Sequence, residues 1–337
     1  MNETIRLKTI AENLGVSVST VSRVLNAKPG ISRKTRDAVL QELQRYRTQL
    51  APAIRQDADK HKFIGIVGRK RSEKVDSIYF HHSIEGFESV FRSSGFASLL
   101  VSVSAEEINR SFPQESLMQD QCAGYILRGQ SLSTPFILEV LSLGKPVVLL
   151  ENTLPEHLVD SVICNDCEGA RFSTEHLIQK GHRKIVHITG PGEWYNNRER
   201  SRGYRECMVS HGLDPVVLQQ EDTTLYHGEA ALQDILAQAP GTTAVFAVND
   251  AMAIGLMEGI RRTGLSVPAD LAVVGFDDIP WSALSNPPLT TSHIHIDKMG
   301  EMAAHRMMQL IADPDAPPAE IKVPVRFIER ESVQQRR

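Results

Sequence analysis

No apolar run in this 337-residue chain approaches the roughly 18 residues that a membrane-spanning helix needs. Residues 1–15, MNETIRLKTIAENLG, hold no apolar core of the kind a secretory signal requires. Cysteine is scarce. The four present are widely scattered and do not make a disulfide framework. The chain also lacks a GxxxxGK[ST] phosphate loop, a GxSxG nucleophile turn and an HExxH metal motif. These absences argue against a membrane protein, a secreted disulfide scaffold and the commoner enzyme classes. A cytoplasmic protein is expected, not an enzyme and without a cofactor. What is present is an ordinary globular composition, 41% hydrophobic and 23% charged, with length for more than one domain.

Charge is unevenly spread. Residues 1–50 hold nine Lys/Arg against four Asp/Glu, while the rest holds 28 against 37. A basic head on an acidic body suggests a nucleic-acid module joined to something else. In the head, Leu7, Ile10, Ala11 and Leu14 repeat at helical spacing. Gly15 suits a helix end in the left-handed region, and Ser17 suits the N-cap of a second helix. There Val21, Val24 and Leu25 form an inward stripe and leave Val18, Ser19, Ser22 and Arg23 outside. After NAKPG, Ser32 is placed to cap a third helix with Thr35, Ala38, Val39, Glu42 and Leu43 in phase.

Helix, short glycine turn, helix is the helix-turn-helix pattern. It gives the small hydroxyls of LGVSVSTVSRVLN a purpose. A helix in the major groove must approach closely, so short side chains that bond phosphates and base edges belong on its first turn. Arg23 reaches further and can take a guanine through two hydrogen bonds. The DNA-contacting set is therefore Ser17, Val18, Ser19, Thr20, Ser22, Arg23 and Asn26.

The stretch LKTIAENLGVSVSTVSRVLNAKPGISRKTRDAVLQEL resembles the N-terminal domain of the lactose/galactose-repressor family of bacterial transcription regulators, and the resemblance continues along nearly the whole chain. It implies a pseudo-palindromic operator, a homodimer and a small-molecule effector. In that family a segment of the form Y-x-P-N-x-x-A-R-x-L follows the third helix, and its leucine wedges into the minor groove. Here residues 46–55 read YRTQLAPAIR. Thr48 replaces proline, Arg55 stands at the leucine position and Pro52 lies within the hinge. With Gln49 as N-cap a short hinge helix remains possible, because the third helical N–H has no intrahelical partner to lose. Ile54 or Arg55 then enters the groove, with weaker bending expected than an apolar wedge gives.

The body reads as α/β. Apolar runs FIGIVG, ASLLVSV, GYIL, PVVLL, KIVHITG, AVFAV and LAVVGFD alternate with helical-period segments such as EGARFSTEHLIQKG and DAMAIGLMEGIRRTG. That order argues for doubly wound parallel sheets covered on both faces. Roughly 275 residues are many for one such sheet, so two lobes are expected. The family implies the same: two periplasmic-binding-protein-like lobes around a small-molecule cleft. The expected organisation is a helix-turn-helix domain at 1–49, a hinge at 50–61 and a two-lobed ligand-binding and dimerisation domain at 62–337. Lobe 1 takes about 62–164 and 292–322, and lobe 2 about 165–291 and 323–337.

EHLIQKGHRKIVHITGP, RERSRGY, AVNDAMAIG, VPADLAVVGFDD and PPLTT carry further resemblance. It implies ligand roles for Arg198 or Arg200, for Asn249 and Asp277, and for Tyr79 and Phe80 as an aromatic wall. Asn249 and Asp277 follow predicted strands, where ligands of open α/β sheets sit. Asp277 can accept from two hydroxyls, and an arginine fork can donate twice. Asp250 and Asp278 read as structural caps. Cys164-Asn165-Asp166-Cys167 is a lone CxxC, and His81-His82 and His293-Ile294-His295 lack acidic or cysteine partners at ligand spacing, so no metal is expected. A sugar or sugar phosphate is the expected effector, a nucleobase or nucleoside the alternative. A helix-turn-helix head fused to a sugar kinase would need a phosphate motif that is absent. A free sugar-binding transport protein would need a signal peptide and no such head.

Overall fold

A computed structural model describes residues 7–25, 30–54, 63–70, 74–104, 106, 108, 121–154 and 159–336. The head is three helices: α1 (Leu7–Leu14), α2 (Val18–Leu25) and α3 (Arg33–Ile54). Gly15 sits at φ 64°, and Val16 N–H bonds the carbonyl of Ala11 at 2.9 Å, closing α1. Ser17 Oγ accepts from Thr20 N–H and Ser32 Oγ from Thr35 N–H, each at 3.1 Å, so both serines cap the helices that follow. Ile10, Ala11, Val21, Val24, Val39 and Leu40 are buried as the core. Helix α3 runs unbroken to Ile54, so the short hinge helix with an N-cap at Gln49 does not form as a separate element. Pro52 falls in the last turn of α3, where the bond lost is the one to the carbonyl of Thr48.

The chain divides into two compact units, residues 1–163 with 296–322 and residues 164–295 with 323–337. In unit 1, β1 (Phe63–Arg69), β2 (Ala97–Val103), β3 (Cys122–Arg128), β4 (Val147–Leu150) and β5 (Asp160–Cys164) pair in parallel, with α4 (Lys74–Ser93) and α5 (Thr134–Leu141) between them. With β11 (Glu320–Val323) the sheet order is β11-β5-β4-β3-β1-β2. β3, β4 and β5 are buried almost throughout, as strands covered on both faces must be. Arg306 of α11 (Ile296–Ala312) is buried and bonds Asp160 Oδ1 at 2.7 Å. A Cβ on Gly86 would overlap the carbonyl oxygen of Asp297, so glycine is what lets α4 and α11 lie this close.

In unit 2, α6 (Asp166–Gln179) leads to β6 (Ile185–Thr189), α7 (Tyr195–Ser210), β7 (Val216–Gln219), α8 (Leu225–Gln238), β8 (Ala244–Ala247), α9 (Asp250–Arg262) and β9 (Ala272–Val274). The four strands form a parallel sheet in the order β7-β6-β8-β9, so β6 and β8 are central. A short α10 (Pro280–Leu284) precedes β10 (Thr291–His293), which pairs antiparallel with β12 (Arg326–Ile328). Among the described residues no helix is long and apolar enough to cross a membrane.

Candidate functional site

Two sites carry the chemistry. On α2 the apolar face is buried and the opposite face is open: Val18 is 42% exposed, and Ser19 and Arg23 are also exposed. Ser17 Oγ lies 2.7 Å from Ser19 Oγ and 2.8 Å from Thr20 Oγ1, which gathers three hydroxyls at the helix start. Hydroxyls and a helix N-terminus there can bond phosphate oxygens, with one guanidinium further along for a base edge. Asn26 and Arg55 lie outside the described residues, as do the side chains of Ser22 and Ile54.

The second site stands at the carboxyl ends of the unit 2 strands. Arg200, in the second turn of α7, is buried. Its Nε donates to Asp166 Oδ1 at 2.7 Å, and its Nη1 donates to the carbonyl of Val248 at 2.6 Å and to Asp277 Oδ1 at 3.0 Å. The guanidinium lies 3.8 Å from the centroid of the Phe276 ring. Burial works against its charge, but the carboxylates of Asp277 and Asp166 outweigh burial and raise its pKa. Its Nη2 makes no hydrogen bond among the described residues. Asp277 holds φ at 116°, a strained position for a non-glycine residue that turns its carboxylate back to Arg200.

Asn249 joins this network differently. Its Oδ1 caps α9 by accepting from Met252 N–H at 2.9 Å, and its Nδ2 donates to the carbonyl of Thr223 at 3.0 Å. Both ends of the amide are therefore engaged in holding loops together. Arg198, expected as an alternative to Arg200, is half-exposed over Tyr195 beside Glu199 and takes no part in the cluster. Tyr79 and Phe80 fall on α4, and their side chains lie outside the described part of the structure.

The structure adds residues that sequence reasoning missed. Thr189 at the end of β6, Asn196 in the first turn of α7 and Thr223 before α8 are buried. Thr189 Oγ1, Asn196 Oδ1 and Thr223 Oγ1 have no hydrogen-bond partner among the described residues. A Cβ on Gly190 would overlap Thr223, with Asn197 just beyond, so these loops meet at one place. An unsatisfied buried polar atom costs about 1–3 kcal/mol. All three lie at or just after the ends of unit 2 strands, where the hydroxyls of a ligand would supply the missing bonds. In unit 1, Arg128 at the end of β3 lies 3.5 Å from Glu151, which holds φ at 63°.

Neighbouring acids are structural. Asp250 is fully buried and accepts from Ile279 N–H, Ser282 Oγ and Thr291 Oγ1, and burial raises its pKa to about 6. Asp278 accepts from Arg330 at 2.6 Å and from His293 Nδ1 at 3.0 Å. Burial pushes its pKa up, and these two partners more than reverse that.

Comparison with known proteins bears on both parts of the chain. Residues 6–45 match the model of bacterial regulatory proteins of the lacI family, and residues 174–333 match that of a periplasmic binding protein-like domain. The HTH-type transcriptional repressor PurR of Escherichia fergusonii is 30% identical over 336 residues, covering 97% of this chain and 96% of that protein. The chain belongs to the lacI family. It is a DNA-binding transcription regulator with a helix-turn-helix head and a periplasmic-binding-protein-like body. Among solved structures of the family, a complex of the regulator CelR with cellobiose superposes with a TM-score of 0.76 at 27% identity, covering 97% of this chain and 99% of that one. The lac repressor dimer bound to operator and an anti-inducer gives 0.68 at 25%, covering 98% and 100%.

Proposed function

We propose that this regulator represses a carbohydrate-utilisation operon and that an uncharged sugar, bound in unit 2, sets its operator affinity. The observation that carries the reading is the trio of buried, unpartnered polar atoms on Thr189, Asn196 and Thr223 beside the Arg200–Asp277 pair. The two carboxylates around Arg200 leave that cluster net negative, which favours a neutral polyhydroxy ligand over a sugar phosphate. Similarity to a cellobiose-bound regulator supports the sugar class, and similarity to an operator-bound dimer supports a homodimer on a pseudo-palindrome. Asp277 and the free Nη2 of Arg200 orient the ligand, and Asn249 holds the surrounding loops. Ser17, Val18, Ser19, Thr20, Ser22, Arg23 and Asn26 contact the major groove, and Ile54 or Arg55 the minor groove. The ligand acts by binding one conformational state of the regulator more tightly than the other, without turnover.

The test is a thermal-shift screen of neutral sugars, sugar phosphates and nucleobases, followed by operator titration with each hit. A neutral sugar should shift operator affinity and be recovered unchanged. Asp277→Ala should leave operator affinity of the free protein nearly intact and abolish the response. Unchanged ligand affinity in a folded Asp277→Ala protein, read by calorimetry, would place the pocket elsewhere. A response confined to nucleobases or to phosphorylated sugars would overturn the ligand class.

A further inference from the structure

The outer face of unit 2 carries a second polar cluster, unrelated to the strand ends. Gly203 lets α7 ride against α6, since a Cβ there would overlap the carbonyl oxygen of Cys167. One and two turns further along the same face of α7 come Cys207 and the helix C-cap His211, opposite Glu175 on α6. Cys207 Sγ lies 3.6 Å from Glu175 Oε2, and His211 Nε2 lies 3.4 Å from the same oxygen. The three donor atoms all fall within 4.8 Å of one another. Among the described residues this is the one such cluster of three His, Cys, Asp or Glu side chains.

We propose that Glu175, Cys207 and His211 form a binding site for a zinc-class divalent metal ion. Zinc bonds of about 2.3 Å to sulfur and about 2.1 Å to nitrogen or oxygen, at tetrahedral angles, set the donor atoms about 3.4–3.6 Å apart. The Sγ–Oε2 and Nε2–Oε2 separations of 3.6 Å and 3.4 Å already have that spacing. The histidine is prepared for it. His211 Nδ1 lies 2.9 Å from the carbonyl of Cys207 and donates its proton there. That leaves the Nε2 lone pair facing the site, the outer-shell arrangement of metal-bound histidines. Two lone pairs facing each other at 3.4 Å need a cation between them, either a proton on Nε2 or a metal ion.

Cys207 is buried while Glu175 and His211 are partly exposed, so the ion has a path in and a fourth position open to solvent. On binding, the Cys207 S–H proton leaves to water and the thiolate takes its place. With the Glu175 carboxylate, the thiolate balances a divalent charge. The softness of sulfur together with imidazole selects zinc-class ions over magnesium or calcium. The bound ion would clamp the end of α7 to α6.

The experiment uses the full chain after treatment with a chelator, titrated with cobalt(II) chloride. The expected result is a thiolate-to-cobalt absorption that saturates at one equivalent per chain and is displaced by zinc(II). Cys207→Ser should abolish that absorption. His211→Gln, at a partly exposed position, should lower cobalt affinity by more than the roughly 100-fold that loss of an outer-shell partner costs. Absence of the absorption in the folded wild-type chain overturns the site, and so does its persistence in Cys207→Ser, which would assign it to another cysteine. Should Cys207→Ser not fold, Glu175→Gln and His211→Gln decide: unchanged cobalt affinity in both refutes the assignment.

Discussion

The outer face of α2 and the strand ends of unit 2 use the same functional groups, a few hydroxyls and one guanidinium, in opposite settings. On α2 the hydroxyls of Ser17, Ser19 and Thr20 bond one another in the open. Around Arg200 the charged partners are held in a largely buried cluster, and the hydroxyls of Thr189 and Thr223 are left over. The open face suits a large, charged, hydrated ligand, whose phosphates bring their own counter-charge. The buried cluster suits a small ligand that must replace water bond for bond. The difference also sets what mutation does. A change on the outer face of α2 past its cap alters recognition and little else, whereas a change at Arg200 alters the fold that carries it.

The sharpest way to break that contrast is acid. His187, on central strand β6, is fully buried, with Nδ1 bonded to the carbonyl of Phe246 and Nε2 to Ser201 Oγ. Burial pushes its pKa down to about 3. Between about pH 3 and its unfolded value of about 6.5, the unfolded chain holds a proton that the folded one refuses. The stabilisation is complete above pH 6.5 and is lost as pH falls toward 3, several kcal/mol in all. Denaturant melts of wild type and His187→Gln across that range should diverge, with the flatter acid limb in the variant. Equal slopes would mean His187 is protonated in the fold.

Next in size, Arg200→Ala should destabilise unit 2 by about 3–5 kcal/mol, because Asp166 and Asp277 would keep their charges without the partner that holds them. A loss under about 1 kcal/mol in chemical unfolding would show that the cluster is wet. On the open face, Arg23→Ala should weaken operator binding by about 1–3 kcal/mol, relax preference at one base pair and leave the melt unchanged. Equal weakening on all sequences would make Arg23 a phosphate contact. Smallest, Ser17→Ala removes the α2 cap seen at 3.1 Å and should cost about 1 kcal/mol of head stability, read by hydrogen exchange of α2 amides.

How legible each region was follows the same division. The strands β1, β3, β4, β6 and β8 announce themselves as unbroken apolar runs because helices cover both faces. β7, β10, β11 and β12 are only three or four residues with mixed burial, too short for any period to register. Ser17 and Gly15 were readable because capping and left-handed turns are local. Arg200 and Asp277 were reachable only through family motifs. Nothing in the sequence around Thr189, Asn196 or Thr223 marks a lone hydroxyl or amide that folding leaves unbonded. Cys207 and His211 stand one turn apart on α7, a spacing visible in the sequence, but Glu175 comes from α6 and only the fold brings it to them.

The three passages of the chain between its units, after residues 163, 295 and 322, bear on how the protein is made. A ribosome emits the three head helices before either sheet, and they pack on one another as they appear. Unit 1 has to wait. Helix α11 and strand β11, which cover α4 and complete the sheet edge beside β5, are synthesised only after residues 164–295. A nascent chain halted near residue 295 would carry an unfinished first unit with Phe87 and the face of α4 around Gly86 uncovered. Interrupted translation should therefore yield sticky fragments that chaperones hold, and a contiguous gene fragment ending there should express as aggregate.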